Sequence, residues 1–534
     1  MVRTILPVCC GVLLLGGCTV GPDYIPPEIA VPSSYANAPG DLTTGQASVQ
    51  KESIAEWWKE FRDPVLDGLV ERALDSDIDM QIAESRISEA RYRLIAAEAQ
   101  SKPLITGAVA TNATRISKNS GLSALASASG SGIGGSAGSG AGSTGSGIAF
   151  PGRNFNTYST GFDVSWEAGL FGGPKRAREA AQGEVDAAIW AKRDSQVRLT
   201  AEVARNYYLL RSTQAQLVEA EDLLTLRRNM QSLAYAKTIG GIAPESALFQ
   251  PAALIARAED QLAQLRGAER EQLAALALLL GLPVQDLTPE LAVRQTGVSG
   301  ADTSAALNIP AGLPSELLLR RPDIRAAERN LASATARIGI AKANNFPHLS
   351  LTGVAELIST GLGNLVSSGS VQALANSQLN IPVLDFGRGR AETGVASEQA
   401  TQARLAYQQS VLNALADVEQ SLARVATERA RNQSLQDDLH QASMTKAAAM
   451  ANFTAGLSDY SPVVLAEEDV IAARLRLLDS DFALKQSEVR LFKALGGGWS
   501  ASVTDVELQK PITLSDENNS SKYSPSDPTY SRPF

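Results

Sequence analysis

The stretch IPAGLPSELLLRRPDIRAAERN, residues 309–330, lies at the middle of a 534-residue chain yet reads as a beginning. Proline and glycine punctuate its first half, and a charged, alanine-bearing helical pattern opens after Pro322 and Asp323. The rest of the chain explains why. With a shift of 244, Ala83 and Glu84 fall on Ala327 and Glu328, Ala90 on Ala334, Arg93 on Arg337, Ala97 on Ala341 and Pro103 on Pro347. Further on the shift is 215: Phe171 and Gly172 fall on Phe386 and Gly387, Ser195 on Ser410, Ala201 and Val203 on Ala416 and Val418. Gly241 then falls on Gly456, and Leu280 and Gly281 on Leu495 and Gly496. The chain is a tandem repeat, and residues 309–322 are its joint.

The drop in shift from 244 to 215 places 29 extra residues in the first copy, between Pro103 and Phe171. Between Lys118 and Arg153 there is no charge, only SGLSALASASGSGIGGSAGSGAGSTGSGIAF, the composition of a flexible loop.

No proline interrupts the chain between Pro174 and Pro244 or between Pro382 and Pro462, and good helix formers dominate both spans. From Phe171 to Gly241, as from Phe386 to Gly456, is 70 residues, which would reach roughly 105 Å if helical throughout. The flanking segments have strand periodicity. Phe162, Val164 and Trp166 alternate with Asp163 and Ser165, and Leu379, Ile381 and Val383 with Asn380 and Pro382. Their expected partners are residues 103–114 and 347–355, so each repeat supplies one hairpin with strands about ten residues long, the span of a membrane-crossing strand.

No apolar run after residue 18 is long enough for a transmembrane helix, so only a closed barrel could cross a bilayer. Two hairpins give four strands, whereas the smallest membrane barrels have about eight. The chain is expected to oligomerise.

All three cysteines, Cys9, Cys10 and Cys18, lie in the first eighteen residues. Arg3, an apolar run and then Leu15, Gly16, Gly17 and Cys18 follow the order of a secretory signal. The ending resembles a bacterial lipobox, which implies cleavage before Cys18, lipid on its thiol and, with Thr19 following rather than aspartate, the outer membrane.

The net charge of -9 and the absence of a basic block argue against nucleic acid as a partner. Two histidines, His348 and His440, and a cysteine-free body give a zinc site or a histidine-based triad little to work with, so no enzyme and no metal is expected. The nucleophile-elbow match from Gly134 through Ser136 to Gly138 arises from the composition of the glycine and serine tract. Gly172, Gly173, Pro174 and Lys175 lack the spacing of a phosphate loop and read, like Gly387 and Gly389, as strand-to-helix turns.

The chain resembles the outer membrane factor, or TolC-like outer membrane efflux protein, family, in its lipoprotein branch serving resistance-nodulation-division multidrug pumps. The markers are Cys18 to Tyr24 (CTVGPDY), Trp57 and Trp58 with Phe61, Asp63, Pro64 and Leu66, and IPAGLP at 309–314. RRPDI at 320–324 and Ala341, Lys342 and Ala343 with Phe346 and Pro347 complete the set.

The resemblance implies a mixed, mainly α fold: a homotrimer whose long helices form a periplasmic α-barrel continuous with a 12-stranded outer-membrane β-barrel, four strands per chain. It implies a passive exit duct of a tripartite efflux pump, with a periplasmic adaptor and an inner-membrane pump as partners, outer-membrane lipid around it, and no cofactor beyond lipid on Cys18. Other uses of such a sequence are an exit duct for secreted polypeptides and a periplasmic coiled-coil scaffold without a pore. The expected organisation is a signal peptide at 1–17, a lipidated segment and belt at 18–75, repeat 1 at 76–281 with its loop at 119–150, and an inter-repeat belt at 282–320. Repeat 2 follows at 321–496, then a belt segment and disordered tail at 497–534. The resemblance places the gate at the helix tips: Gly241, Gly456, Asp459, Tyr460, Leu465, Glu467 and Glu468, with Leu465 where relatives often carry an acid.

Overall fold

The computed structural model describes residues 19–37, 54–115, 154–291 and 314–499. The signal segment with Cys18, the tract at 119–150, residues 309–313 and everything from residue 500 lie outside the described residues.

The repeat is visible as a repeated order of elements. The first copy runs through α1 (Pro64–Ser76), α2 (Ile78–Ala99), β1 (Leu104–Arg115), β2 (Asn154–Ala168), α3 (Gly173–Ile239), α4 (Phe249–Leu279) and α5 (Val284–Leu291). The second runs through α6 (Pro314–Arg320), α7 (Pro322–Ala343), β3 (His348–Ser359), β4 (Val371–Asn380), α8 (Arg388–Thr454) and α9 (Ser461–Ala494). The long helices α3 and α8 have 67 residues each.

Helix ends repeat down to individual hydrogen bonds. Beyond α3, Gly241 at φ +67° donates to Thr238 and Ile242 to Lys237; beyond α8, Gly456 at φ +72° donates to Phe453 and Leu457 to Asn452. This is the glycine cap that a left-handed residue permits, and it ends each helix without leaving its last carbonyls bare.

By contacts the chain divides into two compact units. The first (Met1–Tyr24, Tyr92–Gln182 and Ala332–Ala400) contains the sheet. Its four strands are antiparallel in the order β1-β2-β3-β4, with Ile105 opposite Val164, Val164 opposite Gly353 and Gly353 opposite Ala375. Residues directly opposite share a face, so the register sorts the side chains. One face carries Ile105, Val109, Phe162, Val164, Trp166, Leu349, Leu351, Leu357, Val371 and Leu379, and its one charge is Arg115, the last residue of β1. The other carries Asp163, Glu167, Glu356, His348 and a row of Thr, Ser, Asn and Gln, with Leu104, Phe155, Val354, Ile358 and Leu374 among them and no Lys or Arg. Val109 is 85% exposed and Phe162 63%, so the apolar face is uncovered.

The fourth strand differs from the sequence expectation. Alternation pointed to Leu379, Ile381 and Val383, but β4 starts at Val371 and stops at Asn380. Asn380 pairs with His348, the first residue of β3, so Ile381 and Val383 have no strand opposite them in this chain. Alternation records which face a residue can occupy; a partner decides where the strand ends.

The second unit (Ile25–Arg91, Gly183–Leu331 and Thr401–Phe534) has a core where aromatic residues meet. Trp57 is fully buried, stacked on Phe492 at 5.3 Å and edge-on to Trp58 and Phe61. Asp63 caps α1 by accepting from Val65 and Leu66, and its other oxygen accepts from the Tyr207 hydroxyl at 2.6 Å. Burial and the neighbouring carboxylate push the Tyr207 phenol well above its usual range. In the RRPDI segment, Arg321 donates to Asp323, Asp417 and the Ala494 carbonyl, joining the start of α7 to α8 and the end of α9.

Candidate functional site

Three of the expected tip residues, Asp459, Glu467 and Glu468, are held in the second unit by ion pairs. Glu467 on α9 accepts from Lys446 on α8 at 2.6 Å. Glu468 pairs with Arg227 on α3 at 3.4 Å, and Arg227 also donates to the Leu254 carbonyl of α4. Asp459, between α8 and α9, lies 3.8 Å from Lys237 in the last turn of α3. The pairs to Arg227 and Lys237 tie the helix pair of repeat 1 to that of repeat 2.

Tyr460 packs edge-on against Phe453 at 5.1 Å. Val463, Val464 and Ala466 are buried, whereas Leu465 is 58% exposed. Gly241 and Gly456 have open space where a side chain would be, so it is their positive φ that calls for glycine. Sequence reading found the acids and missed the three bases. Arg227, Lys237 and Lys446 lie within long polar helices, where nothing local separates a paired cation from a solvated one.

Cys18 lies outside the described residues, but the segment after it is held within the first unit. Val20 donates its N–H to the Phe171 carbonyl at 3.1 Å. Arg176, its side chain 4% exposed, donates to the carbonyls of Val20 and Gly21 and to Asp23 at 2.7 Å, with Glu179 as a further partner. Gly21, at φ +103°, lies so close to Gly339 of α7 that a Cβ on Gly21 would come within 2.5 Å of its Cα. Two glycines and a buried arginine thus form a seat for residues 19–23.

Among the described residues no group of three or more His, Cys, Asp or Glu is arranged to hold a metal ion, and no helix is long and apolar enough to cross a membrane. Among those residues the sheet carries its apolar face on strands of 10 to 15 residues, long enough to cross a bilayer.

The family model for outer membrane efflux protein matches residues 69–282 and 313–497, one span on each repeat. The chain belongs to the outer membrane efflux protein family. It is similar to the cation efflux system protein CusC of Escherichia coli O6:H1, 30% identical over 501 residues that cover 93% of this chain and 98% of CusC. The solvent efflux pump outer membrane protein SrpC of Pseudomonas putida is 29% identical, covering 92% and 97%. Among solved structures, the outer-membrane channel OprN superposes with a TM-score of 0.74 at 26% identity, over 90% of this chain and all of OprN. This efflux protein is therefore an outer-membrane exit duct, with the mainly helical fold and the four strands per chain that such channels share.

Proposed function

We propose that three copies assemble into a passive channel: the four-stranded sheets close into one 12-stranded barrel, and the long helices continue it as a periplasmic tube. The observation that carries this reading is the sheet itself, which gathers most of its large apolar side chains on one face and its acidic ones on the other, and is unpaired along β1 and β4 among the described residues. Open edges do not persist in lipid, since an unpaired backbone group there costs several kcal/mol. Barrel closure by further copies satisfies them and turns Asp163, Glu167 and Glu356 to the lumen. A trimer on native gels and cation-preferring conductance in planar bilayers test this; a monomer without conductance would leave a scaffold instead.

Energy comes from an inner-membrane pump of the resistance-nodulation-division class, joined through a periplasmic adaptor, and the cargo is drugs or other small amphiphiles. Crosslinking in cells and copurification with the tagged duct identifies the pump; recovery of a protein-secretion transporter in its place would assign the duct to polypeptide export. The ion-paired tip, with Gly241, Gly456, Asp459, Tyr460, Leu465, Glu467 and Glu468, forms the periplasmic gate.

Cys18 carries the lipid, and no protein cofactor or metal takes part. Cys18→Ala should abolish metabolic labelling with palmitate, because no other thiol stands at a lipobox position. Label that persists in this variant would overturn the assignment.

With Cys18 at the periplasmic leaflet and the helices projecting on the same side, β1 runs outward and β2 returns, so residues 119–150 form an extracellular loop. Loop-closure entropy changes by only about 0.6 kcal/mol per doubling of length. Deleting residues 119–147 should leave an assembled trimer that still supports efflux; loss of the trimer on a native gel, with normal synthesis and export, would show the tract to be packed structure.

A further inference from the structure

The two corners where a strand hands over to a long helix are copies of one another, and only one is filled. Gly172 and Gly387 occupy matching positions at φ +79° and +89°, and Arg176 and Ala391 donate to their carbonyls at 3.0 and 2.9 Å. The turns that enter the strands match as well. Ser101 and Lys102 donate to Glu98 and Ala99, as Asn345 and Phe346 donate to Lys342 and Ala343. Lys102 therefore stands in repeat 1 where Phe346 stands in repeat 2.

In the first corner Phe171 stacks on Phe346 at 4.7 Å. The equivalent ring in the second corner, Phe386, is 92% exposed, sits at φ +53° and meets no other ring among the described residues. By the repeat its counterpart is Lys102. That residue precedes β1 at one open edge, whereas Phe386 follows β4 at the other. Only a second copy can bring them together.

We propose that in the assembled channel Phe386 packs on Lys102 of the neighbouring copy, a cation–π contact in place of the aromatic stack, and that β4 pairs with the neighbour's β1 in the register of β2 with β3. The proposal rests on the oligomeric reading above. Trp166 faces Leu351 and Asp163 faces Val354. Carried through the repeat, Ile381 faces Gly107, Leu379 faces Val109 and Gln378 faces Ala110 of the neighbour.

The faces agree: Leu379 and Val109 both belong to the apolar face, and a slip by one residue would place one of them opposite a lumen position. The pairing also extends β4 through Ile381 and Val383, which alternate correctly and are 56% and 89% exposed in the single chain. The seam corner does not take the N-terminal seat, because Ile95 and Ala391 replace Gly339 and Arg176 there. Filling one corner with a ring and the other with a cation distinguishes the contact within a chain from the contact between chains.

The chain has no cysteine after Cys18, so engineered thiols report cleanly. The double variant Gln378→Cys with Ala110→Cys, oxidised in outer membranes, should give a covalent trimer on non-reducing gels. Gln378→Cys with Asn112→Cys, displaced by two residues on the same face, should not. Lys102→Arg should keep the temperature at which the trimer dissociates in detergent, and Lys102→Glu should lower it. A native-gel trimer that crosslinks through the displaced pair, or through neither, overturns the seam while leaving the trimer standing. A parent protein that runs as a monomer overturns both.

Discussion

Glu467→Lys combined with Glu468→Lys should leave the duct leaky, with a conductance in planar bilayers many times that of the parent. In the parent these carboxylates meet Lys446 at 2.6 Å and Arg227 at 3.4 Å. Reversal turns both attractions into repulsions and leaves the Lys237–Asp459 pair as the one remaining of the three. All four paired side chains are between 18% and 34% exposed, so solvent screens them and each pair is worth about 1 kcal/mol at most. A combined change of about 2 kcal/mol shifts a closed-to-open ratio roughly 30-fold. The leak should shrink as ionic strength rises and the Debye length falls. Unchanged conductance and ion preference at low salt would show that these pairs only solubilise the helix ends.

The second large effect is expected in the aromatic core of the second unit. Trp57→Ala should lower stability by about 3–5 kcal/mol, the usual cost of emptying a buried aromatic site. Trp57 touches Trp58, Phe61 and Phe492, so the cavity would open among residues of the N-terminal segment and of α9. Unfolding of such an assembly is expected to be irreversible, so the appropriate reading is the temperature at which the proposed trimer is lost at a fixed heating rate. Trp57→Phe, which keeps a ring against Phe492, should recover most of the loss. An alanine variant that dissociates at the parental temperature would mean that this core contributes nothing to holding the assembly.

Much of the fold could be read from local chemistry. Gly241, Gly456, Gly281 and Gly496 announce helix ends because a left-handed residue is needed there, and all four have positive φ. The alternation around Phe162 and Asp163 announces a two-faced strand because side chains switch sides at every residue. What stayed hidden depends on partners distant in sequence. The end of β4 depends on where β3 begins, the pairing of Glu468 on a helix some 240 residues earlier, and the exposure of Phe386 on what Lys102 can reach. Leu465, expected at the gate, is exposed between buried neighbours, and nothing in its local sequence separates it from them.

The seat formed by Arg176, Gly339 and the Phe171 carbonyl has a consequence for the lipid proposed on Cys18. Cys18 is two residues from Val20, whose N–H is fixed to Phe171, and two residues of extended chain span only about 7 Å. A lipid on so short a leash cannot wander through the leaflet. Each copy would thus bring a permanent member of its own solvent shell, one that no exchange with surrounding lipid can remove.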